Sequence, residues 1–104
     1  MGHNQLKVIQ ELNIENNLKI IVYEGYYLDE TTDPKDFENV VCFDGNGIRV
    51  WKVNGMNDFQ YWNKNKFSGV GLSENKALVA TDQNGFVFEV NKETGKATFL
   101  KWVK

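Results

Sequence analysis

Reactive and cross-linking side chains are scarce in this chain of 104 residues, which has one histidine, one cysteine and one proline. A Ser-His-Asp or Cys-His mechanism, or a histidine-rich zinc site, would depend on His3 alone. Small secreted domains are normally held together by paired cysteines, so the single Cys42 predicts a reducing compartment, the cytoplasm. The sequence therefore predicts a protein that is not an enzyme and needs no metal or cofactor.

Long apolar runs are also missing. The run IIVY at 20–23 is far too short to span a bilayer, and residues 1–10 lack the pattern of a signal peptide. The net charge is only −2, but residues 1–44 hold nine acids and three lysines, hence −6, whereas residues 45–104 hold five acids and nine bases, hence +4. This balance argues against a nucleic-acid partner and makes the acidic half the more distinctive surface.

What the chain does contain is alternation of apolar and polar residues, rich in aromatic and β-branched side chains, which predicts strands in a single β domain over residues 1–104. A short helix over 5–12 is an alternative to the first strand. The predicted strands are 5–13, 18–28, 39–44, 47–53, 58–63, 76–82, 85–91 and 96–103, with a polar connection at 64–75.

Three Asn-Gly pairs separate these runs: Asn46-Gly47, Asn54-Gly55 and Asn84-Gly85. Asn-Gly between apolar runs predicts a two-residue hairpin with a type I′ turn, since both residues tolerate positive φ. The predicted fold is therefore all-β, with about eight antiparallel strands in a hairpin meander that forms a sandwich or a closed barrel.

An internal repeat relates residues 41–62 to residues 79–102. VCFDGNGIRVWKVN aligns with VATDQNGFVFEVN, and each copy reads as strand, Asp-x-Asn-Gly turn, strand, turn, and a strand that ends in tryptophan. The segment TDQNGFVFEVNKETGK resembles blades of quinoprotein-like β-propellers. A propeller needs at least four blades of about 40 residues, more than this chain holds, so a ring would require several copies, and a structural or assembly β-module is one alternative function.

Two short motifs have ordinary structural explanations. Cys42 lies in a valine-rich run, which predicts a buried, inert thiol. Asp44-Gly45-Asn46-Gly47 has the spacing of a calcium loop but lacks the further ligands, so we expect Asp44 to cap backbone amides.

Aromatic side chains near lysines suggest another alternative. If 58–63 is a strand, Tyr61 and Trp62 point to opposite faces, and the sequence does not decide which of them is exposed. With Trp51 and nearby lysines they could form a face over 49–66 that binds single-stranded nucleic acid or carbohydrate.

The acidic stretch from Glu24 to Asp44 contains seven acids. In size, class and charge the chain resembles the small immunity proteins of bacterial polymorphic and contact-dependent toxin systems. The resemblance implies a protein-binding inhibitor that neutralises a cognate toxin, a nuclease, by covering its basic cleft. The residues predicted to contact this partner are Glu24, Tyr26, Tyr27, Asp29, Glu30, Asp33, Asp36 and Glu38.

Overall fold

The computed structural model describes residues 7–24, 39–62 and 66–103. These residues form eight strands and a single 3₁₀ turn at Met56–Asp58. The strands are β1 (Val8–Ile14), β2 (Leu18–Tyr23), β3 (Val40–Phe43), β4 (Arg49–Lys52), β5 (Phe67–Leu72), β6 (Leu78–Asp82), β7 (Phe86–Val90) and β8 (Ala97–Trp102).

The strands form two four-stranded antiparallel sheets, with orders β1-β2-β3-β4 and β5-β6-β7-β8. Each strand pairs with its neighbour in sequence, so both sheets are meanders. The predicted all-β class with eight antiparallel strands is confirmed, and the two sheets pack as a sandwich. No closed barrel forms among the residues that the structure describes.

Residues 8–14 form a strand, as predicted, and not the short helix that was the alternative for 5–12. The β1–β2 turn uses Asn16 and Asn17, both at φ 62°, a conformation that asparagine tolerates better than most residues. In β2, Ile20 and Val22 alternate into the core and are fully buried. These two side chains form part of the inner face of the first sheet.

The Asp-x-Asn-Gly turns are present, but the prediction that they have type I′ geometry is wrong. Only the glycines, Gly47 at φ 79° and Gly85 at φ 87°, have positive φ in these two turns. The N–H of Gly47 donates to the carbonyl of Asp44 (3.0 Å), and the N–H of Gly85 donates to that of Asp82 (3.2 Å). This pattern fits a type I turn followed by a left-handed glycine, a common three-residue hairpin connection.

The strand predicted at 58–63 is wrong, and so is the connection predicted at 64–75, which contains β5. Gly55 adopts φ 83° and turns the chain into the 3₁₀ turn, where Met56 is buried. Asn54 forms an isolated parallel bridge with Lys96 instead of starting a hairpin. The first copy of the repeat therefore lacks the third strand that the second copy has in β8.

Two side-chain amides join the sheets beside β5. The buried Asn39 donates to the carbonyls of Tyr23 and Phe67 (both 2.8 Å) and accepts from the N–H of Phe67 (2.9 Å). Gln10 donates to the carbonyl of Val70 (2.7 Å) and accepts from its N–H (2.8 Å). Each amide thus replaces a peptide group of a missing strand neighbour. On the other side, the parallel Asn54–Lys96 bridge and the hydrogen bond from Trp51 Nε1–H to the carbonyl of Lys92 join the sheets.

The core lies between the sheets and draws on both. Its fully buried members include Ile20, Val40 and Cys42 from the first sheet and Phe67 and Phe88 from the second. Burial, with a smaller contribution from the charge of Asp44, raises the pKa of the Cys42 thiol to about 11. Cys42 is therefore a buried thiol, as the sequence predicted, and it stays protonated at neutral pH.

Candidate functional site

The acidic surface predicted from the sequence falls almost entirely outside the described residues. Glu24 is exposed just after β2, and its backbone N–H donates to the carbonyl of Lys7 (2.7 Å). The predicted contact residues that lie outside the described ranges are Tyr26, Tyr27, Asp29, Glu30, Asp33, Asp36 and Glu38. Their joint surface stays a prediction.

A continuous aromatic cluster runs from the core of the second sheet to its surface. Phe67 and Phe88 are fully buried and pack edge to face, with ring centroids 5.8 Å apart. Phe59, in the turn after the 3₁₀ segment, packs edge to face on Phe88 and stacks on Phe99 of β8 at 4.1 Å with an interplanar angle of 5°. The inner rings therefore hold the outer rings in fixed positions.

The outer end of this cluster is exposed. Tyr61 is 64% exposed and packs against Phe59, and Trp102 is 57% exposed and packs against Phe86. Further apolar side chains on β8 and beyond it are exposed as well. We call this set the β8 surface; its members are Tyr61, Phe99, Leu100, Trp102 and Val103.

A bulge in β8 affects which of its apolar side chains reach solvent. A register shift opposite Val87 and Phe88 leaves Leu100 as an extra residue between Phe99 and Lys101. Such a bulge changes which face the following side chains meet. The indole Nε1–H of Trp102 donates to the carbonyl of Asn84 (2.9 Å), so this exposed ring is anchored to the β6–β7 turn.

Tyr61 and Trp62 are not part of a strand, so strand alternation does not decide which of the two is exposed. Trp62 packs on the core, with its ring stacked on Phe67 at 5.7 Å, while Tyr61 is the exposed one. Trp51 is buried, and its Nε1–H donates to the carbonyl of Lys92 (2.8 Å). The aromatic-lysine face predicted over 49–66 is therefore not assembled from Trp51, Trp62 and Tyr61 together.

Sequence reasoning missed Phe99, Leu100 and Val103 as surface residues. The signal was present in the run ATFLKWV at 97–103, which carries apolar residues on both parities although it ends the second sheet. A run that is apolar on both parities usually indicates a strand buried on both faces. In an edge strand the same run leaves apolar side chains in solvent.

The second Asp-x-Asn-Gly turn holds a buried carboxylate. Asp82 is 1% exposed; its Oδ1 accepts from the N–H groups of Asn84 (2.9 Å) and Phe86 (3.0 Å), and its Oδ2 has no partner. Burial raises the pKa of Asp82, and the backbone hydrogen bonds only partly oppose the shift. Asp44 caps the first turn in the same way but is half-exposed.

We expect Asp82→Asn to become more stable relative to the wild type as pH rises from about 3 towards neutrality. The folded-state pKa is raised, so the cost of ionising the buried carboxyl is absent below the ordinary pKa, grows between the ordinary pKa and the folded pKa, and is constant above the folded pKa. Asparagine keeps the Oδ1 acceptor without the charge. Urea unfolding at a series of pH values measures the difference, and Asp44→Asn is the matched control at the half-exposed turn. Equal pH profiles of the two variants would contradict the prediction.

The described residues contain no group of three or more histidine, cysteine, aspartate or glutamate side chains placed to hold a metal ion. Within the same ranges, no helix has the length and apolar character needed to cross a membrane.

These features define a class: a small two-sheet β domain with an exposed aromatic surface on the edge strand of its second sheet. Comparison with protein-family models, curated protein sequences and solved structures gives no match.

Proposed function

We propose that this protein is a protein-binding domain whose partner contacts the β8 surface. The observation that carries the proposal is the exposure of aromatic side chains joined by ring contacts: Tyr61 and Trp102 are each more than half-exposed, and both connect to Phe99 through neighbouring rings. Contiguous apolar surface on a small domain is characteristic of interaction sites, and tyrosine and tryptophan dominate the binding energy of many interfaces.

The shape of this surface favours a macromolecular partner over a small ligand. Two depressions lie along β8: one beside the 3₁₀ turn, lined in part by Phe59 and Phe99, measures about 240 Å³, and one lined in part by Phe99 and Leu100 measures about 340 Å³. These volumes lie at or below the lower end of the range of about 300–1,000 Å³ that is typical of pockets for drug-sized ligands. The exposed side chains of Asp58, Lys96 and Lys101 lie beside the apolar residues, as the polar rim of a protein interface does.

The finer form of the proposal is an immunity-type inhibitor in the cytoplasm that neutralises a basic toxin nuclease. It rests on the concentration of acids between residues 24 and 44 and on the lone cysteine. The acidic segment would speed encounter with a basic partner, and the aromatic surface would hold the complex once formed.

The test begins by identifying a bound protein, by mass spectrometry of what the immobilised domain retains from its own cells. Affinity of that purified partner is then measured by calorimetry. We expect Tyr61→Ala to weaken binding by about 30-fold, as loss of an interfacial aromatic anchor does. The matched control is Ile48→Ala, because Ile48, in the β3–β4 turn, is 63% exposed and Tyr61, in the turn after the 3₁₀ segment, is 64% exposed. Unchanged affinity of Tyr61→Ala, or an equal loss for Ile48→Ala, would exclude the β8 surface.

Charge reversal at Asp29, Glu30, Asp33 and Asp36 separates the two forms of the proposal. Slower association of the charge-reversed protein than of the wild type, with a difference that disappears at high salt, supports the nuclease inhibitor. Protection of nucleic acid in a cleavage assay completes the test. Unchanged binding by the charge-reversed protein would reject the acidic surface and leave the β8 surface to its own test.

A further inference from the structure

The three Asn-Gly pairs share one chemical reactivity but have different surroundings in the fold. Asparagine followed by glycine is prone to deamidation, because no side chain on the glycine hinders attack by its backbone nitrogen, and asparagine is a heat-sensitive residue for related reasons. Ring closure requires the peptide unit to rotate until that nitrogen reaches the side-chain carbon. Hydrogen bonds that hold the peptide unit in its turn therefore oppose the reaction.

Asn54-Gly55 is held most tightly. Asn54 Nδ2 donates to the carbonyls of Lys52 (2.9 Å) and Thr94 (3.0 Å). The backbone N–H of Asn54 donates to the carbonyl of Gly95 (3.0 Å), and its carbonyl accepts from the N–H of Ala97 (2.7 Å). Both the leaving amide and the backbone would have to break these bonds before the ring could close.

Asn84-Gly85 and Asn46-Gly47 form a matched pair within their own turns. In each, an aspartate Oδ1 accepts from the asparagine N–H at 2.9 Å. The difference comes from β8, since Trp102 Nε1–H donates to the carbonyl of Asn84 (2.9 Å) and the N–H of Val103 donates to the carbonyl of Gly85 (2.7 Å).

The Asn46-Gly47 turn has no such attachment. Asn46 and Gly47 are exposed, and a Cβ placed on Gly47 would meet no atom within 4 Å. Within residues 7–24, 39–62 and 66–103, no hydrogen bond from outside 44–48 reaches residues 45–47. Gly45 lies against the side chain of Asn17 in the β1–β2 turn, so local opening of residues 45–47 displaces this side chain but breaks no hydrogen bond to another element of the described chain.

We infer that Asn46 is the site of spontaneous deamidation in the folded protein, and that Asn54 and Asn84 are protected. The backbone nitrogen of Gly47 forms a bond to Asn46 Cγ, the Cγ–Nδ2 bond breaks, and Nδ2 leaves as ammonia with the proton of the attacking amide. One water then opens the five-membered succinimide at either carbonyl, giving aspartate or isoaspartate.

The modification has a local consequence. It adds a negative charge two residues from Asp44, at the rim of a depression of about 520 Å³ on the outer face of the first sheet, which Lys19, Ile21, Phe43 and Gly47 help to line. Isoaspartate also lengthens the backbone inside the turn that Asp44 caps. Ageing of the protein would therefore change the charge and the shape of this face but leave the β8 surface intact.

The experiment incubates the purified protein at mildly alkaline pH and follows each Asn-Gly site by peptide mapping and mass spectrometry. We expect Asn46 to react at least several-fold faster than Asn84, and Asn54 to react most slowly. In concentrated urea the three rates should converge, because the fold then protects none of them. Asn46→Gln assigns the signal by abolishing it. Reaction of Asn84 or Asn54 as fast as Asn46 in the folded protein would overturn the inference.

A second variant tests the role of β8 directly. Trp102→Phe keeps an aromatic ring but removes the Nε1–H donor to Asn84, and the exposure of Trp102 makes the variant compatible with folding, which circular dichroism checks. We expect a several-fold faster reaction at Asn84 and no change at Asn46. An unchanged rate at Asn84 would show that this hydrogen bond does not protect the site.

Discussion

Asn39→Asp is expected to destabilise the fold by about 3 kcal/mol or more. Asn39 is fully buried, and its Nδ2 donates to two backbone carbonyls, those of Tyr23 and Phe67. Aspartate would place an oxygen against both carbonyls and bring a charge into the interior. The free energy of unfolding in urea, measured at neutral pH, gives the loss.

The control for Asn39 is Gln10→Glu. Gln10 makes the equivalent pair of bonds to Val70 but is half-exposed, so water can solvate the new carboxylate. We expect a smaller loss of about 1 kcal/mol there. Asn39→Ala separates the lost bonds from the new charge. Stability of Asn39→Asp within 1 kcal/mol of the wild type would show that the sheets do not depend on this amide.

Gly85→Ala is expected to lower the free energy of unfolding by about 2 kcal/mol more than Gly47→Ala, although the two glycines occupy equivalent positions in two turns of the same type. Both have positive φ, so an added Cβ strains both backbones by a similar amount, about 1 kcal/mol. At Gly85 the Cβ would overlap the carbonyl oxygen of Val103, whereas at Gly47 it meets open space. The turn at Gly85 would have to move away from the end of β8.

Chemical unfolding of the two variants side by side measures this difference. Proteolysis near residue 103 provides a second readout, since release of the Val103 N–H from the carbonyl of Gly85 should loosen the end of β8 only in Gly85→Ala. Equal stability losses in the two variants would mean that β8 accommodates the methyl group without cost.

The hairpins around the Asp-x-Asn-Gly turns could be predicted because the signals are local. Asp82 caps its turn through atoms two and four residues away, and Gly85 supplies the positive φ. The run FQYW at 59–62 carries the same local signals as the run FLKW at 99–102, yet only the second is a strand. What separates them is the pairing of Asn54 with Lys96, a contact across 42 positions that no periodicity reveals.

The candidate site could be predicted only in part, for a similar reason: the run ATFLKWV at 97–103 is apolar on both parities but does not show which of its side chains reach solvent. That Phe99 and Trp102 face solvent depends on β8 being the last strand of its sheet and on the bulge at Leu100. The burial of Trp51 depends on the carbonyl of Lys92, which the fold brings to its indole. Neither the sheet edge nor the long-range partner leaves a mark on the neighbouring sequence.

Both meanders are built only from strands that follow one another along the chain. The search for correct pairing is therefore short for five of the six ladders, because each of these joins strands separated by at most six residues, whereas 16 residues separate β2 from β3. Contacts such as those of Gln10 with Val70 and of Asn39 with Phe67 span 60 and 28 positions. We therefore expect each sheet to form by rapid local strand pairing. A slower step, in which the two sheets pack against each other and the Gln10 and Asn39 amides form their hydrogen bonds, should follow.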